Sequence, residues 1–103
     1  MIIEWWEGAK NDLDCIYEYL VDFNEHLAVK VYNQLIDEVE RLILYSESLA
    51  IEPLIKSKKY TFRSSIVISG RYKIIYFVDS KHIVITHIWD CRRNSESIRQ
   101  YFK

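Results

Sequence analysis

The chain has 103 residues, 50% of them hydrophobic and 28% charged, and 14 Lys+Arg against 15 Asp+Glu give a formal charge of −1. That size and composition fit one globular domain spanning 1–103 and exclude a disordered tail. Two Gly and one Pro exclude collagen-like and low-complexity chains and point to few, long elements.

In chain order, Ile2-Ile3-Glu4-Trp5-Trp6 is a short β-prone run. Ala9, Leu13, Ile16, Leu20 and Phe23 then recur at steps of four, three, four and three, the stripe of an amphipathic helix. Asp22-Phe23-Asn24 is a short connector, with Asn24 as N-cap of a second, longer helix whose apolar face is Ala28, Val31, Leu35, Val39 and Leu42. So short a link makes the two helices an antiparallel hairpin. The second helix ends around Ser46-Glu47-Ser48, ahead of Pro53. Lys56-Ser57-Lys58-Lys59 is a basic loop, and 60–68 is rich in aromatic and β-branched residues. Ser69-Gly70 marks a turn, and 72–78 and 82–89 are strands separated by Asp79-Ser80-Lys81. Ile74-Ile75-Tyr76-Phe77-Val78 lacks alternation and so is expected to be a central strand covered on both faces. Residues 95–102 read as a short terminal helix or tail. The order β-α-α-β-β-β describes an α+β domain, a helical hairpin packed on a mostly antiparallel sheet.

The two cysteines, Cys15 and Cys91, form no framework and no CxxC pair, so with no secretory signal they read as reduced thiols in a cytoplasmic protein. No uncharged apolar run approaches the roughly 20 residues of a membrane span. The near-zero net charge hides an asymmetry. Residues 1–52 carry 12 acids and three bases, net −9, while the remainder carries three acids and 11 bases, net +8. Acids at Asp14, Glu18 and Asp22, in line with Asn11, form a stripe of the first helix opposite its apolar face. The bases Lys56, Lys58, Lys59, Arg63, Arg71, Lys73, Arg92, Arg93 and Arg99 lie on the sheet and its end loops, interleaved with Tyr60, Tyr72, Tyr76 and Trp89. Cations neutralise phosphates and aromatic faces stack on bases, so this composition suits a nucleic acid as well as an acidic protein.

His26, His82 and His87 show no HxxxH or HxH spacing, and no Cys lies at a ligand interval, so no metal site or other cofactor is expected. A Gly-rich phosphate loop and a GxSxG elbow are both absent. His87 falls on the strand face of Ile83, Ile85 and Trp89, where an imidazole either packs or, in a cleft, serves as a general base. Cys91 stands beside Arg92 and Arg93, which would depress its thiol pKa, but with no placed base an inert thiol is the stronger reading. Arg63 and Asp90 are candidates for a mutual salt bridge.

The ordered set Trp5, Ala9, Asp12-Leu13, Ile16, Tyr19-Leu20, Ala28, Arg63, Gly70-Arg71-Tyr72-Lys73-Ile74-Ile75-Tyr76 and Ile88-Trp89-Asp90-Cys91-Arg92-Arg93-Asn94 resembles the RelE/ParE superfamily of type II toxin–antitoxin toxins over nearly the whole chain. The resemblance implies the same fold, a cognate antitoxin protein as partner, and a homodimer or a heterotetramer with that antitoxin. It leaves two mechanisms open. RelE-like members resemble ribosome-dependent mRNA endoribonucleases, whose chemistry needs bases, acids and cations grouped on the sheet; here Arg63, Lys73, His87 and Arg92 would supply them. The lysine pair those enzymes carry on the preceding strand has no full counterpart, because 60–66 offers only Arg63, and the tail tyrosine falls near Ile98, with Tyr101 the nearest phenol.

ParE-like members, which look like poisons of DNA gyrase, share Arg63 and the Tyr72–Tyr76 strand, and the incomplete nuclease set tilts the reading toward them. The final motif departs from many relatives by placing Ser95 where a Pro stands. A decayed, non-toxic antitoxin-binding module is the third reading. Antitoxin and target contacts are expected at Arg63, Arg71, Tyr72, Trp89, Arg92 and Arg93. An extended or helical acidic segment would pair there with Arg63, Arg71 and Arg92.

Overall fold

A computed structural model describes residues 1–92. The terminal helix or tail expected at 95–102, and Arg93 and Arg99 with it, lie outside the described residues. The elements follow in the expected order: β1 (Ile2–Trp5), α1 (Glu7–Val21), α2 (Glu25–Tyr45), β2 (Arg63–Val67), β3 (Tyr72–Asp79) and β4 (His82–Asp90). The strands form one sheet in the order β1-β4-β3-β2, in which β1 runs parallel to β4 and the other pairs are antiparallel.

Asn24 caps α2 as expected: its side-chain oxygen accepts from the Leu27 backbone N–H at 3.1 Å, satisfying one of the amides a helix start leaves unpaired. Phe23 departs from expectation. It falls beyond the end of α1, is 71% exposed, and meets Tyr19 with ring centroids 5.1 Å apart and the rings tilted by 57°. The Ser69-Gly70 turn forms, with Arg71 N–H donating to Ile68 O at 3.1 Å. Ser69 and Gly70 have φ of 54° and 80°, the left-handed values this two-residue turn requires, and Ile68 joins them at 54°, a costly angle for a β-branched side chain.

One sheet face takes the helices. Ala9, Leu13 and Leu20 of α1 and Ala28, Val31, Leu35, Val39 and Leu42 of α2 bury against Tyr72, Ile74, Tyr76, Ile83, Ile85 and Ile88. The other face is closed by the connector between α2 and β2. Its Ile55 and Phe62, with Leu54 and Tyr60 beside them, pack on Ile75, Phe77, Val84 and Trp89. Tyr60 stacks flat on Phe77 at 3.9 Å, and Trp6 meets Phe77 edge-on at 5.7 Å. β3 is thus central and buried on both sides, as its unbroken apolar run indicates.

β2 is shorter than the 60–68 expected, because the chain before it doubles back. Glu52 N–H donates to Phe62 O at 2.8 Å and Ser64 N–H to Ala50 O at 3.1 Å, so 50–52 shields the outer edge of β2.

Candidate functional site

The bases that the sequence groups as one working face are divided by the fold. Lys73 and His87 point to the connector side, in register with Trp89 and Ile75 respectively, whereas Arg63 pairs with Tyr76 on the helix side. The expectation that His87 shares a face with Ile83 and Ile85 fails for a local reason. The β3–β4 register jumps from Ile75↔His87 to Tyr76↔Ile85, leaving Thr86 as an extra residue. That bulge reverses the alternation, so Ile83 and Ile85 face the helices and His87 goes with Trp89 to the other side. Thr86 is fully buried and its hydroxyl donates to Ile75 O at 3.1 Å, which holds the bulge in place.

Three of these cations, Arg63, Lys73 and Arg92, make structural contacts. Arg63 Nη1 donates to Leu49 O at 2.6 Å, tying the end of α2 and the connector to β2. Lys73 Nζ lies 2.9 Å from Glu52 Oε2 and 3.2 Å from Oε1, with the Glu52 side chain wholly buried. Arg92 is clasped by Asp90 through Nε at 3.0 Å and Nη2 at 2.7 Å, and Asp90 Oδ1 also accepts the Arg92 backbone N–H at 2.9 Å. That bidentate pair holds the Arg92 guanidinium well above its ordinary pKa. The Arg63–Asp90 salt bridge considered from the sequence does not form, since these two residues take Leu49 and Arg92 instead.

Burial lowers the His87 imidazole below its usual range, favouring the neutral ring. It also raises the Cys91 thiol, because desolvation outweighs the attraction of Lys73; this is the direction of the inert thiol and not of the depression its arginine neighbours would cause. Trp89 is 4% exposed beneath the connector rather than displayed, and Arg71 is exposed at the β2–β3 turn. Arg93 lies outside the described residues. Among the described residues no group of three His, Cys, Asp or Glu side chains could hold a metal ion, and no helix there is long and apolar enough to cross a membrane.

The structure also shows residues that the sequence reading passed over. Glu52, counted only as part of the acidic half, is the buried partner of Lys73. Its signal was a lone carboxylate inside the apolar run 49–55. A groove of about 680 Å³ opens between α1 and the adjoining ends of β3 and β4. Asp12, Cys15, Ile16 and Tyr19 form its helix wall, and Tyr72, Ile88, Asp90 and Arg92 its sheet wall. It exists because β1 stops pairing with β4 at Ile85, where the chain turns into α1. Beyond that point Asp12 Oδ2 takes the Ile88 N–H at 3.0 Å, so α1 replaces the missing strand.

Tyr72 and Tyr76 are both fully buried on the helix face of β3. The Tyr76 hydroxyl donates to Ser46 O at 2.6 Å, and burial pushes its pKa up to about 12. The Tyr72 hydroxyl is buried with no hydrogen-bond partner among the described residues. Its pKa is raised, mainly by burial and then by Asp90, against the opposing pull of Arg92 and Arg71.

With this geometry in hand, comparisons with known proteins converge. The family model for the ParE toxin of type II toxin–antitoxin system, parDE, matches residues 3–95. A solved structure described as the chromosomal ParDE toxin–antitoxin system from P. aeruginosa is similar with a TM-score of 0.72 and 24% identity, covering 87% of this chain and 95% of that one. At that identity the likeness shows the fold, which is the helical hairpin on a mostly antiparallel sheet described above. The search of curated proteins finds no match. The family match spans nearly the whole described domain, and the chain belongs to the ParE toxins of type II toxin–antitoxin systems.

Proposed function

We propose that this type II toxin acts in the cytoplasm by inhibiting DNA gyrase and is neutralised there by a cognate antitoxin. The family supplies the class of action. The observation that favours gripping a protein over cutting RNA is the disposition of the four groups a nuclease reading needs. Arg63 and Lys73 are bound to Leu49 O and Glu52, and Lys73 and His87 lie on the sheet face opposite Arg63. Metal-free RNA cleavage requires an acid, a base and a phosphate clamp converging on one bond, within hydrogen-bond reach of the reacting atoms.

Exposed apolar side chains suit a protein partner instead. Tyr19 and Phe23 at the end of α1 and Leu44 at the end of α2 are exposed by 52%, 71% and 76%. Induced expression of the chain alone is expected to stop growth and switch on a DNA-damage reporter, with transcripts left intact. Growth arrest with new transcript ends and a silent reporter would overturn the gyrase reading in favour of a nuclease. Undisturbed growth would point to a binding module without toxicity.

A further inference from the structure

A buried phenol hydroxyl without a partner costs about 1–3 kcal/mol relative to a hydrogen-bonded one, so a structure that keeps one has a use for it or has lost its ligand. Tyr72 is 0% exposed, lines the groove between α1 and the sheet ends, and has no hydrogen bond from its hydroxyl among the described residues. Tyr76, two β-repeats away on the same strand face, has its hydroxyl satisfied. Position in the core therefore does not account for the difference; the groove does.

One cation lines the groove and a second stands next to Tyr72 in the chain. Arg92 lines the groove with its side chain 46% exposed, and Arg71 stands beside Tyr72 in the turn, exposed and in no ion pair among the described residues. Asp90 engages Arg92 through Nε and Nη2, so the Nη1 edge of the guanidinium keeps its donors while its plane is fixed. The carboxylates that would oppose an anion are already hydrogen-bonded, Asp90 by Arg92 and Asp12 by the Ile88 amide. Ile16 and Ile88 line the groove's apolar part.

We propose that this groove is a docking pocket for an acidic side chain of a partner polypeptide, its carboxylate held by the Tyr72 hydroxyl and the outer edge of Arg92, and its stem against Ile16 and Ile88. An unpaired donor beside an oriented guanidinium makes a charge-assisted site of the kind that recognises carboxylates. Asp90 is then a positioning residue: it aims Arg92 rather than touching the partner. The proposal rests on the toxin reading only in supposing that the chain has a protein partner, and its test needs no toxicity.

The test is an amide NMR titration of the full chain with N-acetyl-Leu-Glu-Leu-amide, beside the same peptide carrying Gln in place of Glu. Saturable shifts centred on Tyr72, Ile16 and Ile88 are expected with the Glu peptide, weakening as salt rises, and little response to the Gln peptide. Tyr72→Phe is expected to weaken Glu-peptide binding about tenfold, the loss of one hydrogen bond to a charged group. The same variant should unfold at the same temperature as the wild type or higher, because no satisfied bond is removed. Equal response to the two peptides, unchanged binding by Tyr72→Phe, or a lowered unfolding temperature in that variant would each overturn the proposal. Any of these outcomes with growth arrest intact would leave the gyrase reading standing and remove only the pocket.

Discussion

The two faces of the sheet are closed by different means, and the contrast explains where charge is available. On the helix face, two long helices bury a continuous apolar stripe, and within that core the Tyr76 hydroxyl is bonded to the end of α2. On the opposite face a thin connector does the covering, and it brings a carboxylate with it: Glu52, held by Lys73. A helix satisfies its own backbone and can be wholly apolar on one side. An irregular connector cannot, and needs specific polar anchors. Of the strand bases, Lys73 is therefore held by Glu52 on the connector side and Arg63 by Leu49 O on the helix side, while Arg71 in the turn stays exposed and the Arg92 side chain keeps 46% of its surface exposed.

Breaking the connector's anchor is the largest expected effect. Lys73→Met leaves the Glu52 carboxylate buried and unpaired, and urea unfolding should show a loss of about 3–5 kcal/mol. Adding Glu52→Gln to that variant should recover much of it; no recovery would mean that the pair does not hold the connector. On the helix face, Tyr76→Phe strands the buried Ser46 carbonyl and should cost about 1–3 kcal/mol in the same assay.

A pH series sharpens the connector side. Because burial lowers the folded-state pKa of His87, the unfolded chain binds the extra proton first. Stability is then full above the ordinary value near 6.5 and is lost as pH falls from there through the folded-state pKa. His87→Gln should flatten unfolding midpoints measured between pH 7 and pH 5. The smallest effect belongs to the groove rim. Arg92→Ala removes a pair whose arginine is 46% exposed, and thermal unfolding should register at most about 1 kcal/mol.

Much of this was legible in the residues, and the reasons are local. The periods of α1 and α2, the Asn24 cap, the Ser69-Gly70 turn and the doubly buried β3 are each encoded within a few neighbouring positions. The family resemblance also pointed to the correct toxin class. What escaped was set by distant chain segments. His87 was placed on the wrong face because a single extra residue, Thr86, reverses alternation without any Gly or Pro to announce it. The pairing of Lys73 is not legible because Glu52 stands 21 residues away, in a connector with no period to follow. The 60–68 strand shortened because 50–52 folds onto its edge. The unpartnered hydroxyl of Tyr72 is a relation between α1 and the sheet, and no pattern along β3 distinguishes it from Tyr76.

The central claim is that this chain grips gyrase rather than cutting RNA, and a supercoiling assay with purified gyrase and the purified chain tests it most directly. Added at a few-fold molar excess, the wild-type chain is expected to block supercoiling and accumulate linear, gyrase-cleaved plasmid, and Lys73→Met/Glu52→Gln, if folded, should do the same because those residues serve structure. Full supercoiling at that excess, with no linear product, would contradict the account.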